Sequence, residues 1–122
     1  MKKSALRRQA YDEPLWWGLF SAGGVCFAVV VPAAILFLAL LIPLGVVSLD
    51  AERARSLLFS LPGILFVGAV VCLPLFHAAH RIRHGLFDLR LGRDKPNKWL
   101  TYGGAALLSA VALGGVLLGM LQ

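Results

Sequence analysis

Three tracts of this chain contain no Asp, Glu, Lys or Arg: Pro14 to Leu49, Ser56 to His80 and Trp99 to Gln122. A helix that crosses a hydrocarbon core about 30 Å thick at 1.5 Å per residue needs about 20 uncharged residues. Each tract is long enough, and charge bounds each one wherever it meets more chain. Composition points the same way. Of the 122 residues 59% are apolar and 15% are charged, with a mean hydropathy of +0.80, whereas a soluble domain is about a quarter charged. These values exclude a disordered chain, a collagen-like fibre, a disulfide-stapled secreted domain and a soluble enzyme. Cys26 and Cys72 both lie inside apolar tracts and read as packed thiols, with no disulfide framework.

The tracts predict an all-α membrane protein with three transmembrane helices over about residues 15–47, 56–88 and 98–121. As one straight helix the first tract would reach about 54 Å, so it must end early or lie partly at the interface. Pro43 with Gly45 supplies a stop, Pro32 marks a kink, and Trp16, Trp17 and Phe20 are interfacial anchors around a membrane core near residues 24–44. The apolar region of a signal peptide is about 7 to 15 residues, so this longer tract is expected to be retained. Of the 12 Lys and Arg residues, Lys2, Lys3, Arg7 and Arg8 precede the first tract and Arg81, Arg83, Arg90, Arg93, Lys95 and Lys98 lie between the second and third, leaving only Arg53 and Arg55 for the first loop. The positive-inside rule then predicts a cytoplasmic N-terminal segment over residues 1–13, an anchor over 14–122 and a periplasmic C-terminus. The net charge of +6 is accordingly an inner-surface property, suited to anionic headgroups or an acidic partner and not to nucleic acid.

No polar segment is long enough to build a conventional active site, so the chain is expected to work within a larger assembly. In the third helix Ala106, Ala110 and Gly114 form a small-residue stripe and Gly115 with Gly119 a GxxxG pair, which permit close helix packing against a partner or within the chain. The inner end of the second helix concentrates His77, His80, Arg81, Arg83, His84 and Asp88. Steps of three and four place the three histidines on one face with Arg81 beside them. Ionisable groups next to a span are functional candidates by default. Arg83 and Arg90 read as snorkelling, topology-setting charges, and His77 and His84 as interfacial. His80 and Arg81, directly at the end of an apolar run, stand out. Two chemistries suit them: axial ligation of a haem by histidine nitrogen, for which His77, His80 and His84 are the candidates, or hydrogen bonds to a quinone headgroup. With no carboxylate inside the tracts, the base for a quinol would be His80 itself or a carboxylate of a partner.

The run Asp12-Glu13-Pro14-Leu15-Trp16-Trp17-Gly18-Leu19-Phe20 with Ala22-Gly23-Gly24, then Leu73-Pro74-Leu75, His80-Arg81, Asp88-Leu89, Lys98-Trp99 and Tyr102-Gly103, closely resembles the D subunit of fumarate reductase, the small hydrophobic anchor of bacterial quinol:fumarate oxidoreductase. The resemblance covers nearly all of the chain from about residue 12. It implies a non-catalytic inner-membrane subunit of a heterotetramer with a flavoprotein, an iron-sulfur protein and a second anchor, the C subunit. FAD and iron-sulfur clusters would reside only in partners, no haem would be held, and menaquinol would be oxidised at a shared inner-surface site during anaerobic respiration. Trp17, His80 and Arg81 match the family's quinone-site contributors, and His84 is a further candidate. Trp17 would offer an indole N–H and a stacking surface, and Arg81 a fixed charge. Arg83 and Phe87 stand where the family has more histidine, and Phe59 and Ser60, followed by Pro62, replace a polar pair before the second helix. No histidine relay and no outer quinone site are therefore read from this chain. The alternatives are a haem-binding succinate dehydrogenase anchor and an accessory subunit of a small membrane transporter.

Overall fold

The computed structural model describes the backbone from Lys2 to Gln122 and the side chains from Asp12 onward. The side chains of Lys2, Lys3, Arg7 and Arg8, on which the expected N-terminal charge rests, lie outside the described residues. Four helices and no strand occur among the described residues. Helix α1 is one rod over residues 2–41, α-helical across Lys2–Val25 and Val31–Ala34 and π-helical across Cys26–Val30 and Ile35–Leu41. A short helix α2, Ala51–Leu58, connects it to α3, Leu61–Asp88, and α4 spans Asp94–Met120. Three segments, Asp12–Leu41, Leu61–Asp88 and Asp94–Met120, are long and apolar enough to cross a membrane.

The second span ends at Asp88 as expected, and other helix boundaries shift for local reasons. Around Pro32 the helix changes register: Pro32 has no N–H and its ring crowds the carbonyl four residues back, and just before it the Val31 N–H reaches back five residues to the Cys26 carbonyl. The rod then stops at Leu41, short of residue 47. Gly45, at φ +72°, turns the chain so that its N–H meets the Ile42 carbonyl at 3.0 Å and the Val46 N–H meets the Leu41 carbonyl at 3.0 Å, a Schellman ending. Residues 56–58 belong to α2 instead of α3. The Asp50 carboxylate caps α2 by accepting from the Arg53 N–H at 2.7 Å. The Ser60 hydroxyl caps α3 by accepting from the Gly63 N–H at 3.1 Å, with Pro62 in the first turn. Helix α4 starts at Asp94, ahead of the apolar tract, because an acidic first turn suits a helix N-terminus and Pro96 there needs no N–H partner.

Helix α3 is central and packs against both α1 and α4. Gly23 permits the first contact: a Cβ there would lie 2.5 Å from the His77 Cβ and 2.5 Å from the Leu73 carbonyl oxygen. Against α4, α3 meets Tyr102, Ala105 and Ser109, which share a face at steps of three and four and are buried. The Ala106 and Ala110 positions of the small-residue stripe are exposed on this chain, and Gly114 and Gly115 have open space where a side chain would be. Large apolar side chains such as Leu107, Val111 and Leu118 point outward. Among the described residues the buried ones are the small or polar Gly23, Ala79, His80, Arg83, Tyr102, Ala105 and Ser109. Such a distribution suits lipid, which solvates leucine as well as a protein core does and leaves polar groups to pair inside the bundle.

Candidate functional site

The polar residues converge where residues 12–20 of α1, the last third of α3 and the start of α4 meet. His80 is 2% exposed, and its Nδ1 lies 2.7 Å from the Tyr102 hydroxyl. Its ring stands edge-on to Trp17 at 4.7 Å and lies 4.3 Å from the His84 ring, which is itself 5.7 Å from Trp17. Phe20 belongs to the same group of rings, 4.7 Å from His80. The Nε2 atoms of both His80 and His84 are buried without a hydrogen-bond partner. His77 is set apart from this pair: it stacks on Phe20 at 4.4 Å, and its Nδ1–H donates to the Phe20 carbonyl at 2.8 Å.

Trp17, His80 and His84 thus form one cluster, with Trp17 about half exposed at its rim. Arg81 lies outside it, exposed on the neighbouring strip of α3 and without an ion-pair or hydrogen-bond partner among the described residues. A helix turns about 100° per residue, so one position after the buried His80 the side chain faces away from the bundle.

Arg83 corrects the sequence reading. Expected as a snorkelling topology charge, it is 5% exposed. Its Nε and Nη2 donate to the two Asp94 oxygens at 3.0 Å each, and Nη1 and Nη2 both donate to Glu13 Oε1 at 3.3 Å. Lys98 continues the network, with its ammonium 2.8 Å from Asp12 Oδ2 and 3.7 Å from Glu13 Oε1. Three carboxylates and two cations therefore join all three long helices. Glu13 of α1 and Asp94 at the start of α4, both just outside the uncharged tracts, supply the carboxylates that meet Arg83.

Tyr102 is the other residue the sequence reading passed over as a site group. It is buried, lies flat against Trp16 with ring centroids 4.0 Å apart, and has the Arg83 guanidinium 5.8 Å from its ring centre. Two signals were available. Arg83 falls three residues after His80, on its face of the helix, and Tyr102, Ala105 and Ser109 mark an inward stripe on an otherwise apolar helix.

The chemistry gathered here is aromatic and polar at once. It offers aromatic surfaces, two imidazole nitrogens without partners, and a fixed internal salt-bridge network behind them. The family model for the fumarate reductase D subunit matches residues 7–117. The chain is 43% identical over 105 residues to the fumarate reductase D subunit of Vibrio campbellii, covering 84% of each chain. It is 44% identical to that of Photobacterium profundum, over 84% of this chain and 88% of the relative. To that of a Shewanella species it is 39% identical, over 83% and 86%. With this extent of match and three helices fit to cross a membrane, the chain belongs to the family of fumarate reductase D subunits.

Proposed function

We propose that this chain is the membrane anchor of a quinol:fumarate reductase, holding the flavoprotein and iron-sulfur subunits to the bacterial inner membrane together with the second anchor, the C subunit. Its N-terminus lies in the cytoplasm, because ten of the 12 Lys and Arg residues fall on the side of the N-terminus and the loop between α3 and α4. Trp17, His80 and His84 contribute to the menaquinol oxidation site. Arg81, pointing away from its own bundle, meets the site from the rim. The observation that carries this reading is the pair of buried, unpartnered imidazole nitrogens, His80 Nε2 and His84 Nε2, behind a half-exposed tryptophan at one end of the bundle. Buried polar atoms are almost always hydrogen-bonded, so these two fit a ligand with oxygen at its edge.

When bound, menaquinol supplies two electrons and two protons. This chain's residues would orient the headgroup and receive a proton, with the Trp17 indole as a flat apolar surface and His80 Nε2 as the acceptor of a hydroxyl proton. His84 offers a second polar contact one helical turn on. Electrons leave through the iron-sulfur partner, so the anchor itself needs no redox centre.

The test is fumarate reduction by the assembled complex carrying His80→Ala. Quinol-dependent turnover should fall about a hundredfold, the scale of a lost general base, while turnover driven by an artificial dye survives. Loss of both rates with release of the catalytic subunits from the membrane would instead make His80 a tethering residue. A spectrum of the purified complex, oxidised and dithionite-reduced, separates the haem-binding alternative. Flavin and iron-sulfur bleaching without b-type haem bands is the expected result, and haem bands would turn the histidines into candidate ligands.

A further inference from the structure

We propose that Tyr102 is a positioning residue of the quinol site, acting through His80; this inference rests on the quinol-site reading above. The Tyr102 hydroxyl lies 2.7 Å from His80 Nδ1 and connects α4 to α3 inside the bundle. Three features hold that hydroxyl in place. The phenol is 4% exposed, its ring lies 9° from parallel to Trp16 at 4.0 Å, and the Arg83 guanidinium beside it is fixed by Asp94 and Glu13. His84 has no comparable tie. Its Nε2 is buried and unpartnered, yet no hydrogen bond links it to another helix among the described residues.

Tyrosine suits the position because its hydroxyl both donates and accepts. When His80 Nε2 takes a proton from a quinol hydroxyl, the quinol O–H bond breaks and an Nε2–H bond forms. Both ring nitrogens then carry hydrogen, and Nδ1–H donates to the phenol oxygen. When Nε2–H instead donates to a quinone carbonyl in the neutral ring, Nδ1 accepts from the phenol O–H. The hydroxyl rotates between these roles and keeps its own proton in both. A partner able only to donate or only to accept would serve one state and oppose the other.

The test uses the whole complex in membranes. Fumarate reduction is driven by a water-soluble naphthoquinol and, in parallel, by a reduced viologen dye that counts assembled complexes. Tyr102→Phe keeps the ring on Trp16 and removes the hydroxyl. Its kcat with naphthoquinol, per dye-active complex, should fall about tenfold, with KM within about twofold of the parent. In the His80→Ala background the same substitution should cause no further loss, since its effect passes through the imidazole. A second variant, Trp16→Leu, removes the platform under the phenol, and its kcat loss should likewise vanish in that background. An equal loss in both backgrounds, or an unchanged kcat in Tyr102→Phe while His80→Ala abolishes quinol oxidation, overturns the role of Tyr102 and leaves the quinol site standing. Undiminished quinol oxidation in His80→Ala overturns both.

Discussion

Replacing Arg83 by methionine tests whether the salt-bridge network at the start of the bundle holds the three long helices together. The guanidinium side chain is 6% exposed, while its carboxylate partners Glu13 and Asp94 are 31% and 30% exposed. Removing one partner of a buried ion pair costs about 3–5 kcal/mol, chiefly because the other charge is left unpaired. Here the abandoned charges are the two carboxylates, which water can partly reach, so the expected cost is at the low end, about 3 kcal/mol. The loss should divide unequally. Asp94 receives two parallel bonds at 3.0 Å, the fork geometry that gives strong Arg–carboxylate pairs, whereas Glu13 receives two at 3.3 Å on a single oxygen. Double-mutant cycles should therefore give a coupling of about 2 kcal/mol for Arg83 with Asp94→Asn and under about 1 kcal/mol for Arg83 with Glu13→Gln. The contribution of Asp94 to its own helix N-terminus cancels in the cycle. Unfolding of the purified chain in detergent micelles at rising dodecyl sulfate fraction, followed by circular dichroism and tryptophan fluorescence, reads these values. A total loss below about 1 kcal/mol, in the range of exposed pairs, or a Glu13 coupling as large as that of Asp94, would refute the reasoning.

Four further outcomes follow from single features. Gly23→Ala should cost about 1–3 kcal/mol in the same unfolding assay, as an overpacked contact does, because its Cβ meets the Leu73 carbonyl and His77 Cβ; an unchanged transition would mean α1 and α3 separate freely. Ser60→Ala should cost about 1 kcal/mol through the lost cap of α3, with Ser60→Asp retaining most of it. Arg90 sits at φ +54° after the end of α3, so Arg90→Gly should raise stability by about 0.5 kcal/mol, the left-handed penalty slightly exceeding glycine's entropic cost. Alkaline phosphatase fused after Gln122 should be active, as expected of a periplasmic C-terminus; an inactive fusion beside an active N-terminal one would reverse the topology.

Much of the architecture was legible as segment chemistry. A charge in hydrocarbon is costly wherever it lies in a helix, so the uncharged tracts located three spans without any knowledge of their neighbours. The same count misjudged helix ends. Helices α1 and α4 run into charged sequence, because partition delimits a span whereas hydrogen-bonding and capping delimit a helix. Ser60 and Pro62, which end the connector and start α3, were visible as residues but had no weight in a count of charges.

Within the site, residue type and helical spacing picked out His80 and Arg81, the family resemblance added Trp17 with His84 as a further candidate, and the structure gathers Trp17, His80 and His84. Arg81 and Arg83 are identical as charges in a sequence, yet one is exposed and the other is among the most buried residues of the chain. That difference depends on the helix rotation of α3 and on carboxylates 70 and 11 residues away. The unpartnered nitrogen of His80 likewise depends on Tyr102 reaching the other nitrogen from α4. Membrane partition is nearly a sum over each segment's own residues, so the chain's composition and order settle it. Pairing depends on which helices are neighbours and which faces they turn to one another, and only the packed bundle decides that.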